Sequence, residues 1–513
     1  MTPPYLLGID SGTSVVKSVV FDLAGNEIAV ARRETPVLTP VANGAEMDMN
    51  LAWRLAAETV AEVVAAVGGG SMIAGVGVSG TCCGLWLVDA AGNPARAALL
   101  WNDGRAAEII QRWDSDGFLD RVWELTGNAM FPGYRLVALR WLLEHEPETF
   151  ERTRWVLFHK DWLRYKLTGV IGSDESDVGY FPGDLRTRGY SDPLLDEAGV
   201  WAWRDKLPPV FPSHAVAGEI TPDAAAQTGL RARTPVVAGA VDVIASVLGG
   251  GAYRAGQAVS ILGTSNLNTL VSDQPTYEPK RAGVQTCMPE GKWGRSLINT
   301  SGTISIEWMI RALAEPERQQ AAASGGSVYE LVERQVTQVP PGARGIVFLP
   351  YLNSTGIISP FNAPHARGEF FGLTLDHSRF DLMRAVYEGT ALAMRDCYSV
   401  IERPFDEVVL VGGGARSAFW AQMLADATGK RIVIPGGTEF GARGDAILAG
   451  VGVGVFGSFD AAMAAFIRPD RAFEPRPEYT DAYAALYDLY RHLYTNAREA
   501  WELRARALEK LPK

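Results

Sequence analysis

Apolar residues 5–9 run straight into the small polar turn Ser11-Gly12-Thr13-Ser14, and a second apolar run covers 15–21. Two such runs joined by a tight turn predict a hairpin, with 23–26 as the next turn. Residues 51–67 space Leu, Ala and Val as an amphipathic helix does. Short buried strands are expected at 72–78 and 85–88, and helices at 137–143 and 155–167. A further strand at 236–240 ends just before Asp242.

The plan then restarts. Residues 257–262 read as a strand, Gly263-Thr264-Ser265 as a turn and 267–271 as a strand. GIDSGTSVVKSVV and SILGTSNLNTLV share the order strand, Gly-Thr-Ser turn, strand. One such repeat at long spacing predicts a duplicated domain and not a solenoid. Gly249-Gly250-Gly251 interrupts the pattern, so the expected domains are 1–248 and 249–513. Beyond it, 316–327 reads as an exposed loop and 381–401 as a long helix. A strand at 407–411 enters Gly412-Gly413-Gly414, and a helix follows at 417–428 with Ser417 as its N-cap. Residues 480–510 are helical, and Tyr483, Tyr487, Tyr490 and Tyr494 share a packing face.

A chain of 513 residues suits two or three domains, and 47% hydrophobic with 21% charged residues is ordinary globular composition. The formal net charge of −11 argues against a nucleic-acid partner, which needs a basic face. It leaves room for a nucleotide held by a few local cations and backbone amides. Cys82, Cys83, Cys287 and Cys397 form no C-x-x-C pair, and the six histidines are scattered. That pattern predicts a reduced, cytoplasmic chain without a zinc site. No secretory leader pattern opens the chain, and no apolar run is long enough to predict a membrane span.

Candidate chemistry clusters at the turns. Asp10 ends a buried strand before a turn of small residues. Amides and hydroxyls of Gly12, Thr13 and Ser14 suit phosphate oxygens, Lys17 suits phosphate charge, and the Asp10 carboxylate suits Mg²⁺. The plain alternative is a hairpin with an aspartate at its turn. Gly263, Thr264 and Ser265 repeat the device, and the pair together suggests a clamp on a nucleotide. Gly412-Gly413-Gly414 either lets backbone approach a flat ligand or meets a turn that needs positive φ. Asp242 stands at the carboxyl end of a strand, where α/β proteins bind ligands. It could take a proton from a substrate hydroxyl, or equally cap a helix. Trp101, Asn102, Asp103 and Arg105 could bind a polyol, or Asp103 and Arg105 could be a surface ion pair. G-x-G-x-x-G occurs at Gly75, Gly77 and Gly80 and again at Gly452, Gly454 and Gly457, in neither case between a strand and a helix. Neither a G-x-x-x-x-G-K-[ST] loop nor a G-x-S-x-G elbow is present.

Taken in order, GIDSGTSVVKSVVFD, GVGVSG, LLWNDGRA, AGAVDVIAS, SILGTSN, NTSGTISIEW, RAVYEGTALAMRD and GGGARSAFWAQMLAD resemble the FGGY family of carbohydrate kinases. That family lies within the superfamily of sugar kinases, actin and heat-shock ATPases. The resemblance spans residues 5 to 455 or so. It implies an α/β fold of two ribonuclease-H-like, actin-like domains, each a mixed sheet flanked by helices, with ATP and sugar in the cleft between them. It implies Asp242 as catalytic base and Asp10 as the organiser of Mg²⁺. ATP would be met by Gly12, Thr13, Ser14 and Lys17, by Gly263, Thr264 and Ser265, and by Gly302 and Thr303 of NTSGTIS. Gly413, Gly414 and Ser417 would lie against the adenosine. Trp101, Asn102, Asp103 and Arg105 would lie on the substrate side. A homodimer is compatible with the family.

The sequence departs from the family pattern on the substrate side. Thr81-Cys82-Cys83 stands where relatives carry larger polar or charged contacts, so Thr81 and Cys82 are expected to line the sugar site. Asp242 is followed by Val243 and Ile244 where relatives often have Asn or Gln. STGIIS replaces a Gly-Glu-Arg stretch near 353–360. Fewer fixed donors suit a smaller or less oxygenated substrate. The expected activity is therefore ATP-dependent phosphorylation of a primary hydroxyl of an erythritol-like tetritol or a ketopentose such as xylulose. The alternative is a non-catalytic sensor of sugar and ATP on the same fold, and a cytoskeletal or chaperone-type ATPase would lack the W-N-D-x-R cluster.

Overall fold

The computed structural model describes residues 4–180 and 183–511. Strands Tyr5–Ser11 and Val15–Asp22 form the expected hairpin, in register with Asp10 opposite Lys17. Their alternation of buried apolar with small residues lets one sheet face pack on the helix Met49–Ala66 and the other on helices from later in the chain. The helix is capped by Asp48, whose carboxylate accepts from the amides of Asn50 and Leu51.

Two seven-stranded mixed sheets carry the architecture. In the first, Glu27–Glu34, Val15–Asp22 and Tyr5–Ser11 pair antiparallel. Ile73–Gly80 and Pro235–Val237 then add parallel, and Val216–Glu219 closes the edge antiparallel. In the second, Lys292–Asn299, Asn266–Ser272 and Ala258–Leu262 pair antiparallel. Glu407–Val411 and Arg431–Pro435 add parallel, and Pro469–Phe473 closes antiparallel. An extra strand, Val284–Met288, lies outside Lys292–Asn299. Tyr5–Ser11 and Ala258–Leu262 thus occupy equivalent places, as the repeated hairpin predicts.

Four local expectations are corrected. Residues 155–167 are not one helix: Trp155–Leu157 is a strand, Phe158 is extended, and the helix is His159–Thr168. Asp161 sets that boundary, because its carboxylate accepts from the Phe158 amide at 3.2 Å. Residues 315–324 form a helix instead of a loop, with Pro316 in the first turn, where no amide is needed. The strand expected at 236–240 is two pieces, Pro235–Val237 and Ala240–Val241, parted at Gly239 with φ of +82°. Gly249 and Gly250 are not a break: they complete the helix Asp242–Gly250, and Gly251 ends it in the left-handed conformation. The division expected at 248/249 therefore falls in the last turn of this helix, and the second sheet begins at Ala258.

One helix of the second half, Phe440–Gly452, crosses onto the first sheet and also packs on Asp242–Gly250. It joins both halves in one apolar core that includes Leu6, Val241, Val259, Val411 and Ala446. The contact is backbone on backbone. A Cβ at Gly8 would stand 1.9 Å from the Ala442 carbonyl oxygen, one at Gly77 2.1 Å from that of Asp445, and one at Gly444 1.9 Å from that of Ala245. Gly77, part of the first G-x-G-x-x-G, thus serves helix packing. Replacing Gly77 by Ala forces this seam apart and costs about 1–3 kcal/mol. Chemical denaturation should show a lowered midpoint for Gly77→Ala, whereas Gly457→Ala, with open space around its Cβ, leaves it unchanged. An unchanged midpoint in Gly77→Ala would mean the seam is slack.

The tyrosines at 483, 487, 490 and 494 are buried on one face of the C-terminal helix Thr480–Leu508. Among the described residues, no helix is long and apolar enough to cross a membrane.

Candidate active site

Three neighbouring strand ends build the site. Asp10 lies in register with Ser79 on the parallel strand Ile73–Gly80, and Ala240 and Val241 pair with Ser79 and Gly80 on its other side. The jog at Gly239 requires glycine, because φ there is +82° and a Cβ would stand 1.9 Å from the Val78 carbonyl oxygen. It delivers Asp242 past the end of the sheet as the first residue of a helix. The Val243 amide donates to Asp242 Oδ1 at 2.7 Å. Asp242 is not the N-cap, a place held by Val241.

The electrostatics of this corner are acidic. Burial and the nearby Asp10 charge push Asp242 up to about 7, against the Val243 hydrogen bond. Burial also raises Asp10, with Lys17 opposing and Glu439 assisting. A third carboxylate, Asp445 on the crossing helix, is fully buried, and burial followed by Asp10 raises it well above the usual range. The Ser79 hydroxyl donates to Asp445 Oδ2 at 2.7 Å and lies 3.4 Å from Asp10 Oδ1. Its one proton serves the shorter bond. This link joins the two halves directly behind Asp10. Lys17 pairs with Glu439 at 3.1 Å, and Glu439 also holds Arg32 at 2.9 Å.

Each half contributes a turn. Gly12 closes the first turn by donating to the Val15 carbonyl, and the Thr13 and Ser14 tip projects beyond it. Gly263 closes the second by donating to the Ser265 carbonyl, leaving Thr264 and Ser265 exposed. Gly302 and Thr303 donate to the carbonyls of Thr264 and Gly263, so the NTSGT segment is bonded to this turn. Gly412 has φ of +93° and abuts Leu262, whereas Gly413 is exposed with open space beside it and Gly414 is buried. Ser417 spends its hydroxyl on Glu333 Oε1 at 2.7 Å and accepts from the Trp420 amide.

On the other wall, Trp101 reaches the first turn: its Nε1 donates to Thr13 Oγ1 at 2.9 Å. Asn102 is exposed. Asp103 accepts from the Ala45 amide and Arg105, and Arg105 also donates to Glu46 at 2.7 Å. Asp103 and Arg105 thus spend their polar atoms within an internal network that holds the loop. Thr81 is buried and meets His159 Nδ1 at 3.2 Å, while Ser11 meets His159 Nε2 at 3.1 Å. Burial pushes that imidazole down to about 3, so it is neutral, and it stacks on Trp86. Hydrogen bonding with Cys83 and burial, with smaller contributions from Asp242 and Asp177, push the half-buried Cys82 thiol well up. Tyr180 is raised by burial and senses Cys82 and Asp242. All four cysteines are free.

Sequence reasoning missed a buried cluster beneath this wall. Lys160 lies within 2.6 Å of Asp161, 2.9 Å of Asp174 and 2.6 Å of Asp177. Asp174 caps the short helix Glu175–Gly179, and Ser176 Oγ on that helix accepts from the Val241 amide at 2.9 Å. The cluster therefore fixes the residue before Asp242. Asp445 was missed as well. Its signal is an acid inside the small and apolar run GARGDAILAG, and the signal of the cluster is three aspartates within SDESD and HKD.

Family models match the chain almost throughout. The N-terminal domain of the FGGY family of carbohydrate kinases matches residues 5–249, and its C-terminal domain matches 258–453. An L-xylulose/3-keto-L-gulonate kinase of Escherichia coli K12 is 31% identical over 502 residues, covering 95% of this chain and 96% of that protein. An erythritol kinase of Brucella abortus is 29% identical over 506 residues, covering 96% and 95%. The crystal structure of a xylulose kinase from Rhodospirillum rubrum superposes with a TM-score of 0.88 at 28% identity, over 97% of this chain and all of that one. With both domain models matched and the two-sheet architecture shared, the chain belongs to the FGGY family of carbohydrate kinases.

Proposed function

We propose that this kinase transfers the γ-phosphoryl group of ATP to a primary hydroxyl of a ketopentose or tetritol, with Asp242 as the base. The observation that carries the reading is the placement of Asp242. Its carboxylate stands at the end of the first sheet as the first residue of a helix, close enough to Asp10 to feel that charge. Relatives named for xylulose, L-xylulose and erythritol supply the substrate class.

The residues present fit ATP and Mg²⁺. Asp10 offers hard carboxylate oxygens amid an excess of buried negative charge that a cation would relieve. Among the described residues no three His, Cys, Asp or Glu side chains converge into a metal cage. One carboxylate plus phosphate oxygens is the usual holding of Mg²⁺. When bound, the ion supplies neutralisation of phosphate charge. The exposed Ser14, Thr264 and Ser265 would contact phosphate oxygens, with the half-buried Thr13 and Lys17 nearby. Gly12, Gly263, Gly302 and Thr303 shape those turns. Gly413 and Gly414 would face the adenosine, and Ser417 would hold the start of the following helix.

The sugar would lie against Thr81, Cys82, Trp101 and Asn102, with Asp103 and Arg105 holding their loop. Asp242 takes the proton from the attacking hydroxyl, and closure of the two halves excludes water. Coupled ADP release across xyluloses, erythritol, threitol and glycerol tests the reading. Sugar-dependent release supports it, and its absence alongside intact ATP binding counts against it.

The pH dependence follows from the same residue. A base must be ionised, so kcat/KM should rise with pH and level off above about 7 at low Mg-ATP. Saturating Mg-ATP should move this acid limb down, because positive charge beside Asp10 favours the carboxylate. A limb that stays in the ordinary range near pH 4 in both conditions would contradict the placement of Asp242.

A further inference from the structure

We propose that Trp101 is a positioning residue: it sets the Thr13 hydroxyl of the first turn and so couples an occupied sugar side to the grip on the nucleotide. The inference rests on the kinase reading and deepens it, by naming the contact through which the binding of one ligand is felt by the other.

The direction of the bond is fixed by chemistry. An indole N–H can only donate, so in the 2.9 Å contact between Trp101 Nε1 and Thr13 Oγ1 the hydroxyl oxygen accepts. Thr13 keeps its own proton, and among the described residues its hydroxyl has no other partner. That proton is left for a phosphate oxygen, and Trp101 holds it away from the sugar side. Each end of the bond is braced separately. On the sugar side, the Leu100 amide donates to the Ala45 carbonyl at 3.0 Å and the Gly104 amide to that of Asn43 at 2.7 Å. Asp103 ties the same loop to the Ala45 amide at 2.7 Å. A Cβ at Gly133 would stand 1.8 Å from the Trp101 carbonyl oxygen, so the loop also rests on neighbouring backbone. On the nucleotide side, the Thr35 amide donates to the Ser14 carbonyl and the Thr35 hydroxyl to the Thr13 carbonyl, both at 2.9 Å. With both backbones held, what remains to be set is the Thr13 side chain. The indole is 43% exposed, so water competes for the bond while the site is empty. A sugar laid on the indole face and a nucleotide beside Thr13 shut that water out. A hydrogen bond strengthens as the local dielectric falls, so each ligand reinforces a bond that favours the other. The effect is reciprocal by linkage.

The test is a double-mutant cycle. Trp101→Phe keeps a flat carbon face and loses the donor, Thr13→Val keeps the shape and loses the hydroxyl, and Thr13→Ser keeps the hydroxyl. ADP release is measured with L-xylulose and with erythritol, and a non-hydrolysable ATP analogue is titrated by calorimetry with and without each sugar. The expected KM for Mg-ATP rises about 3–10-fold in Trp101→Phe and in Thr13→Val and stays within about twofold in Thr13→Ser. The double variant should bind Mg-ATP no worse than Thr13→Val alone, because both changes act through one bond. In wild type the sugar should tighten analogue binding by about threefold or more, and Trp101→Phe should abolish that gain. An unchanged KM for Mg-ATP in Trp101→Phe overturns the inference, as do additive effects in the double variant. So does a sugar that loosens the analogue in wild type. A rise in both KM values that is the same in either Thr13 background would mean that Trp101 only packs its loop, and overturns it too. Sugar that tightens the analogue through Trp101 without any ADP release supports the coupling and sinks the kinase reading. ADP release without linkage between sugar and analogue overturns the coupling and leaves the kinase reading intact.

Discussion

Replacing Asp242 by Asn leaves Mg-ATP binding within a few-fold of wild type and lowers kcat by two to four orders of magnitude, the usual range for loss of a general base. The substitution is nearly isosteric. The Asn side-chain oxygen still accepts the Val243 amide that now donates to Asp242 at 2.7 Å, so the helix Asp242–Gly250 starts as before. What disappears is a carboxylate able to take a proton. The same change removes one of several buried negative charges around Asp10, so the thermal midpoint of the ligand-free protein should hold or rise. That combination separates chemistry from folding: a structural role would lower the midpoint and leave residual turnover proportional to folded protein. The acid limb of the pH profile should vanish with the side chain. Turnover within tenfold of wild type in Asp242→Asn, measured with the best neutral sugar, would end the assignment of this residue as base.

The first hairpin was legible in sequence because everything it needs is local. An apolar strand, four small turn residues and a second apolar strand allow one arrangement, and the second copy at Ala258–Leu262 repeats it. Asp242 was legible for a similar reason, since a short Val-rich strand ends just before it. The jog at Gly239 was not, because the close approach that requires glycine there is to the Val78 carbonyl, on a strand some 160 residues earlier in the chain. Residues 155–167 looked helical throughout since Trp, Val and Leu satisfy either period; pairing of Trp155–Leu157 with Trp86–Val88 decided it. Asp103 and Arg105 were correctly seen as neighbours, yet only the fold reveals Glu46 and the Ala45 amide as the partners that occupy them. Asp445 stands 366 residues from Ser79, and no spacing rule reaches across that distance.

Lys160→Met is expected to destabilise the fold by about 3–5 kcal/mol at neutral pH, the range for leaving a buried charge uncompensated. Lys160 is almost fully buried, and Asp161, Asp174 and Asp177 all draw on it. Arg164 and Arg135 add positive charge nearby, yet burial, with Asp174 and Asp161 assisting, already raises Asp177 well above the usual carboxylate range against the pull of Lys160. Methionine fills the volume of the stem but removes the cation on which all three aspartates draw. The deficit has a predictable pH dependence. Asp177 already has a folded pKa raised above its unfolded value, and without Lys160, which opposes that shift, the rise grows. Such a group loses stability as pH climbs from the unfolded pKa to the folded one. The variant should therefore lie closer to wild type at pH 5 than at pH 8, and adding Asp177→Asn should recover part of the loss at pH 8. The route to function runs through Asp174 and Ser176 to the Val241 amide, so kcat should fall with stability in Lys160→Met and return with it in the double variant. A midpoint in chemical denaturation that is equally low at both pH values would mean that packing of the lysine stem, and not charge balance, is what this cluster provides.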